Sequence, residues 1–507
     1  MVQPVLQALG DKLPLILSTL GVLVAVILFQ TVLARDPLSN LPEVGQELGS
    51  VGKRRKVYLA GAGHLYVEGY QKFKDGIFRI VTSRNAQKVV VISPKYLPEL
   101  KKLPDNVLSF DGAIAESMHT KYTKLSTDAT SIATTIKSSL TPALPRLSLP
   151  LANEVEESFR AELPPCDDWT RVKLNQKLLR IVAMASGRVF VGPELCRDEG
   201  YLEAAINYTV DLSNGRRAVD AIPPWKRPFV APWLPEIKKL DRRIKQADEF
   251  LRPLVEERVR LGKDEKPDDM LAWLMASEAK HGVTDSKKLA KLQLEISFAA
   301  IHTTSIATTN CLYQLAADPS FAPILRDEIR SVLAEHNGQM TAPALQAMKK
   351  LDSFIKEAMR LNPTSATSFQ RKVIRRFTMS NGQVIPAGVV VEVPAIAVAF
   401  DPELFPNPTS FQPWRFSEMR EKAGAEAAAK EQFVSVSTNH LTFGYGRHAC
   451  PGRFLAANEI KMILATALLM YDIRNVDGVE GRYPNLVFGS SSVPDPSREL
   501  LLKRVLV

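Results

Sequence analysis

The stretch Phe443-Gly444-Tyr445-Gly446-Arg447-His448-Ala449-Cys450-Pro451-Gly452-Arg453-Phe454 concentrates residue types that can ligate and orient a metal. The chain has four cysteines, and Cys450 alone is set among glycines, a proline and cationic groups. Pro451 suits the first turn of a helix, and the apolar spacing from Arg453 to about Tyr471 reads as that helix. Cys450 thus falls at or just before a helix N-terminus, where the dipole and free N–H groups favour a thiolate. Gly444 and Gly446 let the preceding backbone turn tightly and approach a partner closely, and Gly452 leaves room on the other side. Arg447 and His448 add positive charge. A thiolate, donors aimed at its sulfur and space for a flat group are what an axial haem ligand requires. Cys166, Cys196 and Cys311 lack such surroundings and read as small buried hydrophobes.

Other elements must position that loop. In LDSFIKEAMRLNP, residues 351 to 363, Glu357 and Arg360 share one helical face at i, i+3. Asp285 to about Leu315 reads as a long helix ending before Asp318-Pro319. Within it, the small residues Ala299 and Ala300 let a flat cofactor lie close, and Thr303 and Thr304 can bond back to carbonyls and break the helix into a groove. The pattern is mostly helical between about 150 and 360, β-like runs such as Gln383 to Pro394 follow, and helix returns at Arg453. A mainly α body with a small β portion is expected.

Phe443-Gly-Tyr-Gly446-x-His448-x-Cys450-Pro-Gly452 resembles the haem-binding signature of the cytochromes P450. The resemblance covers essentially the whole chain. It implies the mainly α P450 fold, a triangular helical body with a small β region, and haem b with Cys450 as axial thiolate to the iron. Phe443, Gly444, Gly446 and Gly452 would frame the ring, and His448 would contact a propionate. Glu357 and Arg360 resemble the family's Glu-x-x-Arg motif, completed by Arg415 in Phe411-Gln-Pro413-Trp-Arg415-Phe416. Their implied role is a buried charge network holding the cysteine loop beneath the haem. Ala299-Ala300-Ile301-His302-Thr303-Thr304 lies where the family has Ala/Gly-Gly-x-Asp/Glu-Thr-Thr, so Thr303 matches the threonine that handles bound oxygen and relays protons. His302 departs from the pattern: it replaces the family's carboxylate, either as a proton shuttle or as a packed core histidine. By position, Arg371 and Lys137 match cationic partners of the propionates. The substrate chamber falls by the same likeness on 110 to 130, 295 to 304, 363 to 369 and Phe488 to Ser492. Ala299 to Thr304 and the His448 loop are similar to fungal P450s acting on terpenoid and indole-diterpene-type secondary metabolites.

From Leu13 to Leu33 no charge occurs, long enough to span a hydrocarbon core. The stretch is longer than the apolar region of a cleaved signal peptide. Arg35 and Lys53-Arg54-Arg55-Lys56 follow it and only Lys12, beside Asp11, precedes it, which places the body in the cytosol. Unpaired cysteines agree with a reducing compartment, and Asn207-Tyr208-Thr209 is then an idle glycosylation triplet. The expected organisation is an anchor at 1–34, a linker with Pro and Gly at 35–52 and a catalytic domain at 53–507, held single-pass in the endoplasmic reticulum membrane. The formal charge of +10, from 65 basic and 55 acidic residues, is mild in a chain of 507. It permits an acidic partner, and no basic stripe with interleaved aromatics points to nucleic acid. KVYLAGAGHLY, at 56 to 66, is not a dinucleotide loop, because Tyr66 stands where the third glycine belongs.

The leading expectation is a membrane-anchored monooxygenase of a hydrophobic small molecule, fed by an NADPH-dependent flavin reductase, with cytochrome b5 as an optional second donor. Arg447, Arg453 and Lys461 would present a positive face to that partner or simply be solvated. An isomerase or dehydratase without external electrons is the second reading, which Thr303 counts against. A haem-binding membrane sensor is the third, and it leaves Ala299 to Thr304 without a purpose.

Overall fold

The computed structural model describes residues 38–84, 88–126, 130–261, 267–280, 282 and 285–505, with scattered helical positions between 12 and 25. The expected anchor, Leu13 to Leu33, lies mostly outside these residues. Among the described residues no helix is long and apolar enough to cross a membrane.

The principal helices are α1 (Thr141–Glu162), α2 (Leu174–Phe190), α3 (Glu199–Ala221), α4 (Pro235–Arg260), α5 (Ser286–Ala317), α6 (Lys349–Leu361) and α7 (Arg453–Met470). Helix α5 has apolar residues on nearly every side and packs against α2, α3, α4, α6 and α7. A helix that is hydrophobic all round belongs in the centre of a large core. Its start is fixed by Asp285, whose side chain accepts from Lys287 N at 3.0 Å. The start of α6 is capped from outside, with Glu328 accepting from Lys350 N at 2.7 Å and Leu351 N at 2.9 Å.

The sheet that flanks the helices contains β1 (Ile77–Val81), β2 (Lys88–Ile92), β3 (Leu108–Ser109), β4 (Ser368–Val373) and β5 (Val390–Val393), in the order β1-β2-β5-β4-β3. Only β2 and β5 pair in parallel, Val89 opposite Val390; the other neighbours are antiparallel. Valines on both faces of β2 and β5 fit strands covered on both sides. β4 and β5 fall in the β portion expected after residue 363, whereas β1 and β2 lie outside it.

Three local features stand out, and the unbroken α5 departs from expectation. Much of the expected linker packs on the body: Leu38, Leu41 and Val44 are buried, and Glu43 pairs with Arg79 at 3.1 Å and with Arg54. Helix α5 is not broken at its threonines. Thr303 and Thr308 hydroxyls share the i−4 carbonyl at 2.8 and 2.9 Å, and the backbone stays α-helical throughout. Ile136–Leu140 forms a π-helical turn running into α1, where Pro142 removes a backbone donor and Thr141 Oγ1 bonds Ile136 O at 2.9 Å.

Candidate functional site

The cysteine loop is a tight backbone structure. Cys450 N donates to Phe443 O at 2.8 Å, and Gly444 N to Leu441 O at 2.9 Å. Gly444 and Gly446 sit at φ 77° and 75°, conformations that favour glycine. At Gly446 an added Cβ would also lie 3.0 Å from Lys101 Cβ. Gly452 has an ordinary φ of −81°, and a Cβ there would meet nothing within 4 Å, so this glycine conserves space rather than a dihedral angle. Helix α7 begins at the next residue. Burial raises the Cys450 thiol pKa, opposed by the N–H groups of Gly452 and Arg453 on the sulfur and by the Arg453 charge. The residue is accessible all the same, so it opens onto space within the fold. Cys166, Cys196 and Cys311 are buried and inert, the Cys196 thiol being pushed up to about 12.

Cationic groups gather beside the loop. Arg371, on β4, is buried, donates to Gln370 O at 2.8 Å and lies over Phe369 and Phe110, 4.2 and 5.2 Å from their centroids. Burial lowers its pKa to about 10, and among the described residues no carboxylate pairs with it. His448 stacks on Phe110, 5.2 Å between centroids, with Nε2 2.8 Å from Asp105 Oδ1. Against its own desolvation, Asp105 is held below the usual carboxylate range by His448 and Arg447. Lys137, on the π-helical turn, reaches Arg447 O at 3.4 Å. No feature of its neighbourhood in the chain marks Asp105, which lies in an ordinary Pro-Asp-Asn loop.

On α5, Ala299 and Thr303 are exposed, one turn apart, although nearly all the helix around them is buried. Ala300 is partly buried against the main core, as are Phe443 and Phe454. Thr303 Oγ1 donates to Ala299 O at 2.8 Å. His302 turns to α3 instead: Nε2 is 3.1 Å from Ile206 O, which fixes that nitrogen as the donor. Burial lowers the His302 pKa.

Glu357 is fully buried and receives two guanidinium groups. Arg360 donates to both its oxygens at 2.8 Å, and Arg415 Nε lies 3.1 and 3.2 Å from them. One turn earlier on α6, Asp352 pairs with Lys461 of α7 at 2.7 Å and accepts from Phe433 N at 3.0 Å. Lys461 is therefore not a surface cation: it is buried, with a second bond to Leu345 O at 2.9 Å, because the apolar side of α7 faces the core. Arg453 folds over Phe454 and donates to Cys450 O at 3.0 Å. Asp352 was missed in the sequence, where its place on the inward face of α6 was the available signal.

These residues fit a haem. An accessible cysteine with backbone donors on its sulfur, a small-residue face on a buried helix and a buried guanidinium lacking a carboxylate partner are the ligand, clearance and counter-charge that the group needs. The family model described as cytochrome P450 matches residues 46–496. The chain is 41% identical to cytochrome P450 monooxygenase ATR3 of Stachybotrys chlorohalonatus, over 82% of this chain and 89% of the relative. It is 36% identical to cytochrome P450 monooxygenase braC of Annulohypoxylon truncatum, over 93% and 94% of the two chains. A cyanobacterial CYP120A1 with bound retinoic acid superposes with a TM-score of 0.65 at 17% identity, covering 88% of this chain and 97% of that one, a likeness of fold. With most of its length matched by that family model and by relatives of this similarity, the chain belongs to the cytochrome P450 family and is a haem-thiolate monooxygenase.

Proposed function

We propose that the protein hydroxylates or further oxidises a hydrophobic, terpenoid-like secondary metabolite, using dioxygen and two electrons from NADPH-cytochrome P450 reductase, with cytochrome b5 as an optional second donor. The observation that carries the reading is Cys450 at the head of α7, with two backbone N–H groups on its sulfur. When bound, the haem supplies oxygen activation: one oxygen atom enters a C–H bond and the other leaves as water. Cys450 would hold the iron, and Arg371, His448 and Lys137 would neutralise the propionates. Ala299 and Ala300 give clearance on the other side. Thr303, already donating to Ala299 O, keeps lone pairs with which to accept a hydrogen bond and pass a proton. His302 acts as a strut between α5 and α3, since a proton relayed through Nε2 would break its bond to Ile206. The terpenoid class rests on the likeness of residues 299–304 and 448–454 to fungal enzymes. Oxidation of fatty acids or simple aromatics alone, in a broad screen of apolar metabolites, would overturn that class.

The carbon monoxide difference spectrum of the reduced protein tests the core reading. A far red-shifted Soret band, lost in Cys450→Ala, is expected; an imidazole-type band in the native protein would sink it.

We also place the protein on the endoplasmic reticulum membrane, with its body in the cytosol. Besides the apolar N-terminal stretch, Trp225, Phe229 and Trp233 are 70, 73 and 68% exposed in the segment between α3 and α4. Lys226 and Lys238 lie over the two indoles at 5.0 and 5.2 Å. Amphipathic rings rimmed by lysines suit a bilayer interface. Arg55, in the helix Val51–Ala60, donates to Ile222 O at 2.8 Å, which ties that helix to the aromatic segment. In vesicle flotation, the triple change W225S/F229S/W233S is expected to weaken binding of protein lacking residues 1–34 severalfold. Unchanged flotation would remove the aromatic patch from the membrane contact.

A further inference from the structure

Glu295 lies on α5 one turn before Ala299 and two turns before Thr303, the two exposed positions in the otherwise buried middle of the helix. It stands where this open stripe meets the seam with α3, at which Tyr208 packs edge-on against Phe298, 6.1 Å between centroids, and His302 bonds Ile206. Its side chain is buried. Oε1 accepts from Ser126 N at 2.8 Å, and the Lys291 ammonium comes no nearer than 3.9 Å. The second oxygen has no hydrogen bond among the described residues. Burial raises the carboxyl pKa, outweighing both Ser126 and Lys291. Glu295 Oε2 is not among the buried unpartnered atoms, so this largely buried carboxyl turns one free, accessible oxygen to the space beside α5.

We infer that Glu295 is a specificity-determining residue: it receives a hydroxyl or amine of the substrate at the far end of the chamber from Thr303. The inference rests on the monooxygenase reading above and adds the chemistry of the substrate. Eight helical residues separate the two positions, about 12 Å along the axis. The preferred substrate is then amphipathic, apolar over most of its length, with one hydrogen-bond donor roughly that distance from the carbon oxidised. A wholly apolar hydrocarbon would leave the carboxyl oxygen unpaired and bind less well.

The test uses the holoprotein and N-alkylimidazoles long enough to span that distance, tipped by either a methyl group or a primary ammonium. Binding is read from the low-spin shift of the haem spectrum. The native protein is expected to favour the ammonium tip, and Glu295→Gln to lose about tenfold or more of that preference, as for hydrogen bonds to a charged group. Glutamine keeps an acceptor for Ser126 N, so the methyl-tipped parent should bind both proteins equally, which controls for folding. No preference in the native protein, or one that survives Glu295→Gln, overturns the assignment. A methyl-tipped parent that gives no shift in either protein counts against the haem-thiolate reading itself, and this assignment falls with it.

Discussion

Glu357→Ala protein will fail to accumulate as a haem-loaded, folded species. The carboxylate is 0% exposed and is shared by Arg360 and Arg415, with Gln412 N donating a further bond at 3.1 Å. Without it, two buried guanidinium groups face each other. The remaining acceptors are backbone carbonyls: Ala399 and Pro408 for Arg360, at 2.6 and 2.7 Å, and Pro406 and Asn407 for Arg415, at 2.9 and 3.5 Å. Stranding buried charge in this way costs about 3 to 5 kcal/mol for one ion, and here two cations also repel. That is a large part of the stability of an ordinary domain. Glu357→Gln should fail nearly as badly, because its amide presents a donor to groups that are all donors. Ser353, on the same helix, accepts from Phe416 N and Ser417 N at 3.0 and 3.1 Å, so the 405–417 segment would lose its anchor in step with the charge pair. Soluble yield, haem content and thermal midpoint measure the effect. A Glu357→Ala protein that loads haem and melts like the native one would contradict this account.

Glu459→Gln will make the protein more stable at alkaline pH and flatten its pH dependence. Glu459 lies on α7, just under two turns beyond its start, and is fully buried, with Ser186 Oγ at 2.9 Å as its hydrogen-bond partner. Burial raises its pKa from the usual 4.5 to about 8. A folded-state pKa above the unfolded one means that the folded protein binds the extra proton. The contribution is fully present below pH 4.5, declines as pH rises, and is lost by about pH 8. At 1.36 kcal/mol per unit, this single group removes on the order of 4 to 5 kcal/mol across that window. Glutamine retains an acceptor for Ser186 and never ionises. Unfolding midpoints at pH 5.5 and 8.5 should therefore converge in the variant and diverge in the native protein. Parallel pH profiles would exclude a neutral Glu459.

The parts of this site that were legible in the sequence are those whose spacing is local. Gly444 and Gly446 had to precede Cys450, and both adopt the left-handed conformations that glycine allows. Glu357 and Arg360 had to share a face, and they form a bidentate pair. Side-chain direction was less readable. Lys461 looks like a surface cation in one dimension, yet it is buried, where Asp352 of α6 and Leu345 O receive it. His302 sits next to Thr303 in the chain but 100° away around the helix, which sends it to α3. Asp105 could not be assigned at all, since its partners Arg447 and His448 lie about 340 residues later. The early strands β1 and β2 escaped for a similar reason: the partner that completes their sheet is remote.

That remoteness bears on how the chain is made. β1 and β2 form an antiparallel hairpin, but the other edge of β2 pairs with β5, about 300 residues further along. On a ribosome adding about 5 to 20 residues per second, the Val89-Val90-Val91 edge waits roughly 15 to 60 seconds for Val390 and Val391 to emerge. An apolar strand with unsatisfied backbone groups is a template for pairing with other chains during that interval. Completion of the core helices and of the cysteine loop comes later still, so haem insertion falls at the end of synthesis. Slower growth temperature and holdase chaperones acting on the nascent β2 edge should then govern yield more than any property of the finished haem site.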